Sequence, residues 1–92
     1  MAENGVDESY IKQMVFEIIK RNSGLLQTPE PDMNLYDDIG MDVLDVVECC
    51  MEIEEELGEK TGNPAYITAL ECDTIKTVGD MLEVAQNAAE GL

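Results

Sequence analysis

The segment from Asp42 to Leu57, DVLDVVECCMEIEEEL, constrains this chain more than any other. Turned through about 100° per residue, it places Val46, Val47, Cys50, Ile53 and Leu57 within roughly 80° of Val43, and Asp45, Glu48, Glu52, Glu55 and Glu56 between about 120° and 220° from it. Asp42 can cap such a helix, Asp45 stands three residues on to answer the cap, and Gly58 follows the last apolar residue. The spacing therefore predicts a helix from Asp42 to Leu57 with one greasy face and one acidic face. The first face needs a core, and the second needs water or a partner.

Other segments supply that core. In VDESYIKQMVFEIIKRNSG, the residues Ile11, Met14, Val15, Ile18 and Ile19 form one stripe at helical spacing. Asp7 is the N-cap, Val6 and Ile11 are placed to form a hydrophobic staple, Lys20 and Arg21 suit the negative end of the dipole, and Gly24 closes the helix. Helix one is read over residues 8–22. Residues 25–41 carry two prolines and no sustained period, which predicts a long ordered connection pinned by Leu25, Leu35 and Ile39. GEKTGNP reads as a loop, and Asn63 with Pro64 opens a short third helix, PAYITALE. In TVGD, Thr77 caps the last helix and Asp80 answers it, with Val78, Met81, Leu82 and Ala85 following at helical spacing and the tail NAAEGL fraying. The expectation is one all-α domain over residues 1–92, a small four-helix bundle with a long loop between helices one and two.

Charge limits the partners. With 21 acidic residues against 5 basic ones, the net charge is −16, which repels nucleic acid and anionic lipid. The three cysteines, Cys49, Cys50 and Cys72, lack CxxC spacing and read as reduced, partly buried thiols rather than a disulfide or zinc site. No apolar run reaches membrane-spanning length and no signal-peptide pattern opens the chain, so a cytoplasmic monomer is expected. No histidine, nucleophile–base pair or Gly-rich phosphate loop argues for an enzyme. Setting Gly40 as the glycine of a calcium loop puts Leu35, Ile39 and Val46 at ligand positions, which excludes an EF-hand. Loose binding of a divalent cation between carboxylates of helix two stays open.

The acids of helix two lack the Lys or Arg that would make i,i+4 pairs, and Glu54, Glu55 and Glu56 fall at its negative end, where each costs ~0.3–1 kcal/mol. A surface kept that acidic is read as a docking face for a basic partner.

Together these residues carry a resemblance. GMDVLDVVECCMEIEEELG is similar to the signature helix of acyl carrier proteins, in which a G-x-D-S-L-D motif precedes an acidic helix. The match runs through Gly40, Asp42, Leu44, Asp45, Glu48, Met51 and Glu54 to Glu56. The order of helices, the long loop and the IKTVGDML start of the last helix agree with it, while Gly58 to Glu71 is a few residues longer than is common. The resemblance implies an acyl-carrier bundle working in fatty-acid or polyketide-type acyl-chain biosynthesis. It also implies docking through Asp45, Glu48, Met51, Glu52, Glu54 and Glu55 onto basic surfaces of synthases, transferases and a phosphopantetheinyl transferase.

In that family the serine after the Asp receives 4′-phosphopantetheine through a phosphodiester, and here the position is Val43. Forming the ester takes a hydroxyl oxygen, and valine offers only methyl groups. Ser9 and Ser23 follow no G-x-D turn, and neither do Thr28 and Thr61. The chain as sequenced is expected to carry no cofactor. A serine deliberately replaced to block modification and a natural relative that has lost the arm are both open origins. The competing reading is a non-covalent regulatory or interaction module that has lost the carrier role.

Overall fold

The computed structural model describes residues 6–91, so residues 1–5 of the N-terminal stretch and Leu92 of the tail lie outside the described residues. It contains four helices, α1 (Glu8–Ser23), α2 (Val43–Thr61), α3 (Ala69–Asp73) and α4 (Val78–Glu90), and no strand among the described residues. The all-α bundle expected from periodicity is the fold observed.

Helix α1 begins where a side chain replaces the missing turn: Tyr10 N–H donates to the Asp7 carboxylate at 2.8 Å. Ile11, Met14, Val15, Ile18 and Ile19 are all buried, as their spacing requires, and Val6 is buried with them. Gly24 closes the helix, donating its N–H to the Lys20 carbonyl. The stripe faces both α2 and α4, so α1 is the central wall of the bundle. Each fully buried aliphatic side chain on it stabilises the fold by about 1.5–3 kcal/mol relative to exposure.

The connection from α1 to α2 is ordered because its backbone groups find partners. Leu35 N–H donates to the Lys76 carbonyl at 2.9 Å, Val78 N–H to Met33 at 3.0 Å and Gly79 N–H to Pro31 at 2.8 Å, so the loop is laced to the head of α4. The Asn34 side chain accepts from the N–H groups of Tyr36 and Asp37, an Asx turn that bends the chain back. Of the three expected anchors, Leu35 is fully buried and Ile39 packs half-buried against the core. Leu25 stays outside the core cluster; Pro29 and Met41 are the other buried residues of the loop.

Helix α2 departs from the expected end at Leu57. It runs a further turn to Thr61, where Gly62 adopts φ 75° and donates its N–H to the Gly58 carbonyl at 2.9 Å. That left-handed conformation costs glycine nothing, so Gly62 rather than Gly58 terminates the helix. GEKT is thus helical, and its Lys60 ammonium lies 5.2 Å from the Tyr10 ring centroid. The extension also moves Glu54, Glu55 and Glu56 out of the last turn, where the dipole penalty acts, and the expected destabilisation there does not arise.

Helix α3 also differs. Residues 64–68 are not helical, and the helix starts after Thr68, with Thr68 Oγ1 accepting from Glu71 N–H at 3.1 Å and Glu71 Oε1 accepting from Thr68 N–H at 2.9 Å. This reciprocal box satisfies two donors, whereas Asn63 turns its side chain to the Thr61 carbonyl. Ile67 N–H is meanwhile taken by Glu54 Oε2 at 2.7 Å, which holds the segment extended against α2.

In α4 the expected capping box of Thr77 and Asp80 is present, and Val78, Met81, Leu82, Val84 and Ala85 are buried. The tail expected to fray is helical through Glu90. Among the described residues, no polar or charged side chain is buried and no helix is long and apolar enough to cross a membrane.

Candidate functional site at the head of α2

The site is built by a turn that closes on itself. Met41 N–H donates to the Leu35 carbonyl at 2.9 Å, Ile39 N–H to the Asn34 carbonyl at 3.1 Å, and Gly40 takes φ 86°, which lets Met41 enter the core while Asp42 emerges. Asp42 Oδ1 then accepts from Asp45 N–H at 2.9 Å, and Asp45 Oδ2 accepts from Asp42 N–H at 3.0 Å. The two aspartates of the motif thereby fix where the helix starts. Val43 is its first residue.

Val43 is 66% exposed, Leu44 71%, Met51 61% and Val47 37%. Val43 and Val47, expected on the core-facing arc, lie outside it: the buried residues Val46, Cys49, Cys50, Ile53 and Leu57 centre about 65° from Val43, on the side away from Met51. Apolar side chains on α2 thus form two stripes, one packed on the bundle and one open. The sequence held a signal for the second stripe. From Cys49 round to Leu44 the apolar arc spans roughly 220°, about twice what a core-facing stripe needs.

The structure separates the acids assigned to docking into two sets. Glu52 accepts from Arg21 Nη2 at 2.9 Å and from Asn22 Nδ2 at 2.9 Å, and Glu56 accepts from the same Arg21 nitrogen at 2.7 Å. Arg21, not a cation of α2, therefore offsets part of the charge that looked uncompensated, and its own charged form is favoured, first by the bond to Glu56. Glu54 is engaged by Ile67 N–H and Asp45 by the capping box. Glu48 and Glu55 are exposed and, among the described residues, pair with no cation. With Met51 and Glu52 they line one open groove. The bridge from Arg21 had no local signature, since its partners stand 31 and 35 residues away.

This surface presents an apolar strip of Val43, Leu44, Val47 and Met51, edged by two carboxylates that pair with no cation among the described residues. Among the described residues no group of three or more His, Cys, Asp or Glu is arranged to hold a metal ion.

The family model described as "Phosphopantetheine attachment site" matches residues 9–82, more than half of the chain. The fit of that group to residue 43 is poor on chemical grounds, because the side chain at the head of α2 is carbon and hydrogen throughout and holds no oxygen to esterify. Fold, motif turn and match nevertheless agree over the same span, and the chain belongs to the phosphopantetheine attachment site family, in keeping with the acyl carrier proteins its sequence resembles.

Proposed function

We propose that the protein is an acyl-carrier-like docking protein of fatty-acid or polyketide-type acyl-chain biosynthesis, working in the cytoplasm without a covalent phosphopantetheine arm. The observation that carries this reading is the exposed strip of Val43, Leu44, Val47 and Met51 beside Glu48 and Glu55, at the head of a helix whose motif turn is intact. Apolar residues open to solvent at the centre of a charged rim suit a partner with an apolar pocket and Arg or Lys around it. Synthases, transferases and a phosphopantetheinyl transferase are the proposed partners, bound by a monomer. Glu48, Met51 and Glu55 make the direct contacts, while Asp45, Glu52 and Glu54 hold the helix and its neighbours in place.

Two experiments test the reading. Changing Glu48→Lys with Glu55→Lys should weaken binding to a carrier-processing enzyme and flatten its salt dependence, because rim charges chiefly set association rate. Unchanged affinity at low salt would remove these residues from the interface. Val43→Ser, incubated with coenzyme A and a broad-specificity phosphopantetheinyl transferase, should gain the mass of one phosphopantetheine, while the unaltered chain gains none. Modification of the unaltered chain would refute the account of Val43. A folded serine variant that stays unmodified would favour a second reading, a regulatory module that occupies a carrier-binding enzyme, which the missing hydroxyl also supports.

A further inference from the structure

Cys50 on α2 and Cys72 on α3 meet with their sulfurs 3.4 Å apart, across a sequence separation of 22 residues. Cys49 is fully buried and projects about 100° round the helix from Cys50, so it does not share this contact. Cys72 is half-buried and Cys50 is buried, so Cys72 is the more exposed residue of the pair. Helix α3 has five residues and no buried side chain; Cys72 meets Cys50 of α2, and Glu54 of α2 holds Ile67 in the segment just before the helix. A shift of about 1.4 Å brings the sulfurs to the bonded distance of ~2.05 Å. A helix held this lightly can make that shift.

We propose that Cys50 and Cys72 form a dithiol that a low-molecular-weight disulfide such as oxidised glutathione converts to an intramolecular disulfide, stapling α3 to α2. In the first step Cys72 gives its proton to solvent and its thiolate attacks one sulfur of oxidised glutathione. The bond between the two glutathione sulfurs breaks, and its electron pair leaves on the second sulfur, which takes a proton from solvent. Cys50 then gives its proton to solvent and attacks the Cys72 sulfur of the mixed disulfide, expelling the second glutathione thiolate, which is protonated in turn. Two protein thiols are oxidised and one glutathione disulfide is reduced to two thiols. Burial first, and then the contact with Cys72, push the Cys50 thiol up, so its attack is favoured by rising pH. Val47 lies next to the covered sector on α2, so the bond stiffens one edge of the exposed strip. The inference stands independently of the docking reading.

The test uses the full chain, treated with oxidised glutathione, quenched with an alkylating agent and mapped after trypsin. Lys60 is the one cleavage site between Cys50 and Cys72, so the oxidised protein should yield two peptides joined by a bond that dithiothreitol releases. Cys49→Ser should leave the link intact, and Cys72→Ser should abolish it with the surface unstrained. The oxidised form should melt on the order of 10 °C higher, since the bond closes a long loop in the unfolded chain. Arrest at a glutathione adduct on Cys72, a link through Cys49, a disulfide between two chains, or three thiols still open to alkylation would each overturn the proposal.

Discussion

Two glycines at the end of α2 should respond to alanine with opposite sign. Gly58 has helical backbone inside α2, and a Cβ built there meets nothing closer than the Asn63 carbonyl oxygen at 3.6 Å, an ordinary contact. Gly58→Ala therefore collects the helix-propensity difference and should stabilise by about 0.5–1 kcal/mol. Gly62 has open space around its Cα but sits at φ 75°, where an L side chain costs ~1–2 kcal/mol. The entropy lost from the unfolded chain returns about 0.4–1 kcal/mol, so Gly62→Ala should destabilise by roughly 1 kcal/mol. For a chain of this size 1 kcal/mol moves Tm by about 4–8 °C, which separates the two variants by roughly 6–16 °C. Thermal melts followed by far-UV circular dichroism, with urea midpoints as a check, read the difference. Destabilisation by Gly58→Ala and tolerance of Gly62→Ala would mean that the helix ends at Gly58, and the boundary described above would be wrong.

Arg21→Gln should destabilise by about 1–2 kcal/mol at low salt, from two exposed charge-assisted bonds of ~0.2–1 kcal/mol each and the Glu52–Glu56 repulsion it releases. The loss should shrink in 1 M NaCl, where the Debye length falls to ~3 Å; a loss indifferent to salt would show that the bridge contributes through packing alone. Because the chain still carries −16, the unaltered protein should itself melt higher as NaCl rises, and a flat or falling Tm would count against charge repulsion as a cost. Glu54→Ala removes the acceptor of Ile67 N–H and should cost about 1–2 kcal/mol while speeding amide exchange at Ile67 selectively. The Asp80 carboxyl is held below its usual range by the N–H of Lys76 first and of Thr77 next, so its contribution is full above the ordinary carboxylate pKa and is lost as pH falls through the lowered one. The Tm gap between the unaltered protein and Asp80→Ala should therefore narrow only in strong acid, and a gap that closes near neutrality would refute the assignment.

What was legible in the sequence was local. Asp7, the Asp42–Asp45 pair and the Thr77–Asp80 pair are caps whose partners stand three residues away, so chain geometry alone delivers them. The α1 stripe was equally plain, because all five apolar residues belong to one core. The boundaries that differ are those where a local signal was overridden. The sequence signal for the end of α2 lies at Gly58, whereas an extra turn of backbone bonds closed by the left-handed Gly62 carries the helix to Thr61. The signal for the start of α3 lies at Asn63-Pro64, whereas the reciprocal box of Thr68 and Glu71 sets its start and Glu54 draws Ile67 N–H to itself. The Arg21 bridge and the Cys50–Cys72 contact were not legible, since they depend on how helices dock. The phase of α2 likewise depends on docking: the core takes Cys49 and leaves Val43 outside.

That phase shift bears on why a valine can occupy the motif position. A buried Val43 would have been explained by packing, and restoring a hydroxyl would then have cost a cavity and an unsatisfied polar group. At 66% exposure it contributes little to the core, and a β-branched residue gains nothing from the first turn of a helix. Neither core packing nor helix propensity accounts for valine there. Its two methyl groups instead extend the open strip of Leu44, Val47 and Met51 by one residue toward the capping aspartates. Val43→Ser should accordingly change stability by less than ~0.5 kcal/mol, while Val43→Asp should leave the fold intact and, under the proposed docking, reduce partner binding by placing a charge in the apolar strip. Melting curves and binding isotherms on the same variants separate the two effects. A serine variant that loses more than roughly 1 kcal/mol would show that residue 43 supports the bundle after all, and its exposure would need another explanation.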